Sequence, residues 1–423
     1  MLPDAELALA AGGPLRLGGR FWRYAIATTA SGIGDGVRFA ALPLLAASLT
    51  RSPVLVAAVA TAEGLPWVLV NPISGVLIDR HDRRQMMRWS AEVRVALVLI
   101  LVAAILTHLV TIWWLCGLGF LLGCADTFGS NASIGLLPAL VAAAQLERAN
   151  AVSQGIYNVG TTLLGPAIGG LLFTVTVTLP FGVDIAAFVA VIVLLAGLRG
   201  DFRAESAPGA ASGIRAELWE GMAWLVHHRV LRNLALLVGA MNLAFGMIVG
   251  ILVLFVLETL HLPRGAYGLL LATFAVGGLL GTGLAVRYGA RLRSTLVLRL
   301  VLLVEAGGAG AVAAWPTLGA VIPAFCAIGL FSTLWDVVVV SYRQRVVPAA
   351  LIGRVTGAFR VVGMGATPVG TILGGVIAGA MGLRAPFIAA ALILVLATLM
   401  SVPGLGRGSL DLASDLPERP PGD

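Results

Sequence analysis

Apolar residues recur along the chain in twelve stretches, each closed by a short polar break. They cover residues 23–49, 53–79, 87–108, 111–138, 149–174, 181–198, 231–258, 265–287, 294–314, 317–342, 355–380 and 384–403. A helix needs about 20 apolar residues to cross a bilayer, and inside lipid it must satisfy its own backbone hydrogen bonds. The pattern therefore predicts an all-α membrane protein with twelve transmembrane helices. One long polar interval, 199–230, divides the spans six and six. The expected organisation is a cytoplasmic segment 1–22, a six-helix bundle 23–198, a cytoplasmic linker 199–230, a second bundle 231–403 and a disordered cytoplasmic tail 404–423 rich in proline. Within the linker, Ile214, Leu218, Met222 and Leu225 alternate at helical spacing with Arg215, Glu217, Glu220 and His228, which predicts an amphipathic helix lying along the membrane surface.

Composition agrees with that pattern. Of 423 residues, 59% are hydrophobic and only 12% charged, whereas a soluble domain carries about 25% charged residues. All 28 basic residues are arginine, and with 21 acids the formal charge is +7. These arginines sit between apolar spans instead of clustering on a soluble face, so no nucleic-acid partner is expected. With the N-terminus inside, the outward turns hold only Arg51, Arg264 and Arg384, while twenty-one arginines fall on the inner side. The positive-inside rule then puts both termini in the cytoplasm. Arg38, Arg94, Arg299 and Arg360 remain within or near spans. The first twenty residues hold no short apolar core with a cleavage site, so no removable signal peptide is expected. Cys116, Cys124 and Cys326 lack metal-ligand spacing and read as buried thiols. No nucleotide-binding loop, redox motif or hydrolase elbow is found. The expectation is a protein that is not an enzyme, has no cofactor or metal, and draws energy from a gradient.

The two halves echo each other. Shifted by 210 positions, Gly119, Asp126 and Pro138 match Gly329, Asp336 and Pro348; shifted by 205, Gly160, Gly165, Gly169 and Gly170 match Gly365, Gly370, Gly374 and Gly375. Such an internal repeat of two six-helix halves fits a transporter that rocks about a central site.

The second span ends in Gly75-Val-Leu-Ile-Asp79-Arg80-His-Asp82-Arg83-Arg84. A glycine, then an Asp-Arg pair four residues on, then a basic pair, in the loop between spans two and three, resembles the signature of the major facilitator superfamily. Asp82 stands where that family usually has glycine. The matching loop of the second half, Gly283 to Arg293, keeps Arg287, Arg291 and Arg293 but lacks the acid. Physically, Asp79 is placed to meet the positive end of another helix and Arg83 to reach an acid on a neighbour. Contacts of roughly 1.5–3 kcal/mol each would bias a two-state equilibrium tenfold or more. Gly75, Asp79, Arg80, Arg83 and Arg84 thus read as a gate latch, with Asp126 and Asp336 as partners of the arginine loops; proton transfer is the alternative for these two acids. Topology enforcement alone is the simpler alternative for the arginines.

In the first span, Ser31-Gly-Ile-Gly-Asp35-Gly-Val-Arg38 puts a carboxylate half a span deep with an arginine three residues on. Asp35 and Arg38 are expected to pair, and together with Glu63 they are the candidates for proton coupling; Glu305 is a weaker one. A static ion pair that pins the helix is the alternative. In span five, Gly160 and then Gly165-Pro166-Ala-Ile-Gly169-Gly170 would let helices approach backbone to backbone and pivot; the Gly-Pro-x-x-Gly-Gly core resembles the motif of proton-driven exporters in the same superfamily. Gln154, Tyr157, Asn158, Met241, Asn242, Phe245 and Trp335 are the candidate contacts for a large amphipathic ligand.

The Gly-Asp-Gly-Val-Arg of span one, Leu-Pro-Ala-Leu-Val at 137–141 and Glu147-Arg148-Ala149-Asn150 resemble the bacterial branch with macrolide efflux proteins and the enterobactin exporter. That likeness implies a carrier exchanging protons for a drug, siderophore or other secondary metabolite across the lipid bilayer; a monomer in the bacterial cytoplasmic (inner) membrane is expected. Uptake or lysophospholipid flipping by the same fold, and a non-transporting receptor or scaffold, are the other readings.

Overall fold

The computed structural model describes residues 17–79, 81–200, 202, 214–288, 295–348 and 351–401. Among them every regular element is helical. In chain order these are α1 (Gly19–Leu49), α2 (Pro53–Gly64), α3 (Pro66–Leu69), α4 (Asn71–Asp79), α5 (Arg83–Leu106), α6 (Ile112–Leu136), α7 (Leu146–Asn158), α8 (Gly165–Val175), α9 (Leu179–Ala196), α10 (Ile214–His227), α11 (Arg229–Leu254), α12 (Arg264–Tyr288), α13 (Thr295–Ala314), α14 (Leu318–Val346), α15 (Ile352–Met381) and α16 (Ala385–Ser401). Ten of the described helical stretches are long and apolar enough to cross a membrane, and the second and twelfth spans are shorter apolar helices, Pro53–Leu69 and Ala385–Ser401. Large apolar side chains such as Ile100, Trp113, Val193, Leu392 and Leu399 are exposed, as suits surfaces solvated by lipid. The tail 404–423 lies outside the described residues.

Two spans depart from a single straight helix, each for a local reason. The second span, expected as one helix over 53–79, is three pieces, because Pro66 and Pro72 lack the amide that would bond back one turn. The fifth span carries a π-helical turn, Val159–Leu164, immediately before Gly165-Pro166. There the missing proline N–H loosens the ladder enough to admit an extra residue. Between the sixth and seventh spans α10 docks on α15: Gly221 lies so close to Arg354 that an added Cβ would come within 2.3 Å of its carbonyl oxygen. Arg354 Nη1 donates to Glu220 Oε2 at 2.6 Å beside that contact.

The chain divides into two compact units. Unit 1 holds residues 1–50, 62–209 and 263–272; unit 2 holds 51–61, 210–262 and 273–423. This differs from the bundles 23–198 and 231–403 by two exchanged segments, and glycine packing explains both. In unit 1, Gly170 abuts Gly268 of α12, where a Cβ would come within 2.8 Å of the partner's Cα. In unit 2, Gly375 of α15 abuts Ala57 and Pro53 of α2. The internal repeat is also visible in packing within each unit. Gly165 and Gly169 let α8 lie against Gly36 and Val37 of α1, and the matching Gly370 and Gly374 let α15 lie against Leu243 and Met247 of α11.

A buried charge cluster in the first unit

The site is built on α1. Its glycines at 32, 34 and 36 open two different neighbours, because residues four apart share a helical face and the one between them does not. Gly32 and Gly36 admit the fifth span: a Cβ would lie 2.9 Å from the Tyr157 carbonyl oxygen at the first and 2.6 Å from that of Thr161 at the second. Gly34 admits α9, with Asp184 Oδ1 at 2.8 Å and the Phe188 ring at 2.9 Å from an added Cβ. This close approach brings Asp35 and Arg38, which lie among these glycines, within reach of other helices.

Each of the first six spans contributes a polar group to the resulting cluster. Arg38, 2% exposed, bonds Glu63 of α2 through Nη1 and Asp126 of α6 through Nη2, the latter at 2.6 Å. Arg94 of α5, 4% exposed, bonds Asp35 and reaches Asp126 Oδ1 at 2.5 Å. Its guanidinium lies 3.7 Å from the Phe188 ring centroid, so one face is covered by aromatic carbon. Asp35 also accepts from Tyr157 at 3.3 Å and from Ser31 at 3.4 Å. Asp184 of α9, 1% exposed, lies 4.0 Å from Arg38 Nε. Glu63 is placed by Gly123 of α6, where an added Cβ would come within 2.2 Å of the Glu63 carbonyl oxygen. Four carboxylates thus surround two guanidiniums in the interior of unit 1. Ionised groups so desolvated are stable only when paired. With every acid ionised the cluster would be doubly negative.

The expected Asp35–Arg38 pair is present but long, 3.4 Å. The short bonds cross between helices, since each arginine is pulled toward acids that reach it in better geometry. Asp126, expected at the arginine loop, instead bridges Arg38 and Arg94 in this cluster. Arg94 and Asp184 complete the arrangement. Arg94 could be seen in the sequence as an intramembrane charge without an assigned partner; Asp184 could have been found by the same test, an acid four residues into an apolar span.

At the arginine-rich end of unit 1 the loop residues bind backbone carbonyls. Arg83 Nη1 donates to Gly135 O at 3.0 Å, and Arg84 donates to Leu198 O. Arg20 and Arg23 donate to the carbonyls of Arg199 and Gly197, each at 2.8 Å. Arginines here neutralise the carbonyl ends of α6 and α9, and Phe202 sits between Arg20 and Arg84. Asp82 caps α5 by accepting from Gln85 N at 3.0 Å, which gives its carboxylate a use that a glycine could not serve. A Cβ on Gly75 would meet nothing within 4 Å. Asp79 ends α4, and Arg80, Arg291 and Arg293 lie outside the described residues.

Residues 11–407 match the family model described as transmembrane secretion effector. The chain belongs to this family of the major facilitator superfamily. It is 29% identical over 414 residues to the multidrug efflux pump Tap of Mycolicibacterium fortuitum, covering 92% of this chain and 96% of that one. It is 30% identical over 415 residues to the Tap pump of Mycobacterium tuberculosis, covering 92% and 94%. Over 178 residues it is 26% identical to macrolide efflux protein A of Streptococcus pyogenes, covering 42% and 44%. Among solved structures, the nucleoside transporter NupG matches with a TM-score of 0.72 at 11% identity, covering 90% of this chain and 98% of that one. A bacterial homologue of the iron transporter ferroportin, in an inward-facing state, matches with 0.69 at 19% identity, covering 96% and 100%. These structural matches show the fold. The protein is a multi-pass membrane transporter and not an enzyme.

The transporter distributes the expected ligand contacts unevenly. In unit 1, Tyr157 belongs to the charge cluster, while Gln154 and Asn158 are exposed on α7 and bond each other at 2.9 Å. In unit 2, Met241 and Asn242 are half-buried, and Phe245 lies against Phe274 with ring centroids 5.6 Å apart. Trp335 is only 1% exposed, so its bulk fills the packed interior of α14's surroundings and offers no surface to a ligand. Asp336 is exposed. Glu305 of α13 is buried and accepts from Ser332 Oγ at 2.7 Å, which supplies the partner the sequence did not name. Among the described residues no group of His, Cys, Asp and Glu could hold a metal ion.

Proposed function

We propose that this transporter is a secondary active exporter that exchanges protons for an amphipathic small molecule, such as a drug, siderophore or other secondary metabolite, by alternating access. The observation that carries the reading is the cluster of four acids and two arginines inside unit 1. Carboxylates in excess over cations and largely withdrawn from water are stabilised by gaining a proton and by any rearrangement that gives them a new partner. Because these charged groups come from five spans, with Tyr157 of a sixth bonded to Asp35, a change in helix packing changes the pairing, which ties protonation to conformation. Relatives named as multidrug efflux pumps support export. In this reading residues 23–198 and 231–403 are the two moving bundles, a monomer sits in the bacterial cytoplasmic membrane with both termini inside, and Asp79, Arg80, Arg83 and Arg84 latch the inner face.

The test uses everted membrane vesicles containing the full chain, an imposed pH gradient and ethidium as the fluorescent probe, alongside the drug-sensitivity profile of a deletion strain. Asp35→Asn is expected to abolish gradient-driven accumulation while leaving folded protein in the membrane. Normal energised transport by that variant would reject Asp35 as a coupling residue. Substrate movement in the opposite direction in oriented vesicles would favour uptake or lysophospholipid flipping.

A further inference from the structure

Three of the four clustered acids have a direct contact with a guanidinium nitrogen: Asp35 with Arg94, Glu63 with Arg38, and Asp126 with both. Asp184 does not. It is 1% exposed, and neither of its carboxyl oxygens has a hydrogen-bond partner. An ionised carboxylate in that position would bear its full desolvation cost, several kcal/mol by the usual scale for a buried unpaired ion, whereas a neutral carboxyl would not. The nearest cationic atom is Arg38 Nε, 4.0 Å from Asp184 Oδ2, and that nitrogen likewise lacks a hydrogen-bond partner. A buried donor and a buried acceptor, each unsatisfied, thus face each other about 1 Å beyond ordinary bonding range.

We propose that Asp184 holds the proton that this site exchanges, and that Arg38 Nε is the donor that takes over its carboxylate when the proton leaves. The step balances with water as the proton acceptor. The carboxyl O–H bond breaks, the proton passes to water, and the electron pair left on Oδ2 accepts the Nε–H of Arg38. Arg38 is already bonded to Glu63 and Asp126, so moving toward Asp184 draws on the contacts that join α1 to α2 and α6. The charged groups acting on Asp184 are Arg38 from α1, Glu63 from α2, Arg94 from α5 and Asp126 from α6, with Asp35 of α1 joined to them through Arg38 and Arg94. α8, which also packs on α9, carries no titratable residue. Gly34 is the residue that admits this carboxyl, since any larger side chain there would meet Asp184 Oδ1.

This inference rests on the reading of the chain as a proton-coupled exporter but is tested without a transported substrate. Infrared difference spectra of the purified full chain in detergent, recorded across a pH titration, report protonated carboxyls directly through their C=O stretch. The wild type should show a band that is present at acid pH and lost at alkaline pH, and Asp184→Asn should lose it. Asp35→Asn should keep it. Thermal unfolding is the second arm. Asn mimics a neutral carboxyl, so Asp184→Asn should melt with wild type, while Asp126→Asn should melt lower because it strips both arginines of a partner. Retention of the full band in Asp184→Asn, a band that does not move with pH, or an Asp184→Asn protein that melts as low as Asp126→Asn or fails to fold would each overturn the proposal. A titrating Asp184 band in a protein that moves no probe against a pH gradient would instead reject the exporter reading and leave the proton site standing.

Discussion

The two units of this transporter share a way of packing helices but handle buried charge differently. In unit 1 the approach of the fifth span to the first delivers Asp35 and Arg38 into a set of six charged groups. In unit 2 the same glycine spacing brings α15 onto α11; there Glu305 accepts a hydroxyl bond from Ser332, and Asp336, the repeat partner of Asp126, is exposed. Within this one chain the helix packing is therefore repeated, while the repeat-related acids Asp126 and Asp336 sit in different surroundings. Backbone contact through small residues depends only on local spacing, whereas a buried ion network needs every member in place.

The largest expected effect that would sharpen this contrast is on Arg38. Arg38→Met leaves Glu63 and Asp126 each short of a partner and should destabilise unit 1 by about 3–5 kcal/mol, seen as loss of folded protein in fluorescence-detected size exclusion. Arg360→Met, on an exposed side chain of α15, should change stability by no more than about 0.5 kcal/mol. Equal losses would mean that charge is not concentrated in unit 1. Next is Gly34→Ala, which forces Asp184 and Phe188 aside and should cost about 1–3 kcal/mol in thermal melts. Gly75→Ala meets open space and should stabilise its helix by up to about 1 kcal/mol; a matching loss at both glycines would count against the packing described for α1.

Smaller still is Glu305→Gln, which removes the charge but can keep the Ser332 bond, and should shift stability by at most about 1.5 kcal/mol. A loss as large as that of Arg38→Met would reveal a network in unit 2 as demanding as that in unit 1. Asp82→Ala removes the α5 cap and should cost about 1 kcal/mol, measured against an Asp82→Asn control that retains it. Arg354→Ala breaks a half-exposed pair with Glu220 and should cost under about 1 kcal/mol. It should leave α10 docked, because Gly221 and not the ion pair sets the approach.

The spans, the linker helix and the glycine-rich approach of the fifth span were legible because each depends on residue spacing within one segment. The loss of a straight second helix followed from Pro66 and Pro72 but was masked by the unbroken apolarity of 53–79. Asp126 was visible as an intramembrane acid, yet its position toward the arginine-rich end of its span suggested the loop as its partner; the structure turns it inward to Arg38 and Arg94. Asp184 gave the weakest signal, a single acid near the start of an otherwise apolar span, although it is the most completely buried of the four.

The sequence by itself determined which segments enter the membrane, where they bend and which small residues let them touch, since hydropathy, proline and glycine act within a few residues of themselves. Only the tertiary structure decided which acid meets which arginine. Arg38 lies 25 positions from Glu63 and 88 from Asp126, and whether those side chains meet depends on the rotation and depth of separately placed helices. Local periodicity carries no record of either.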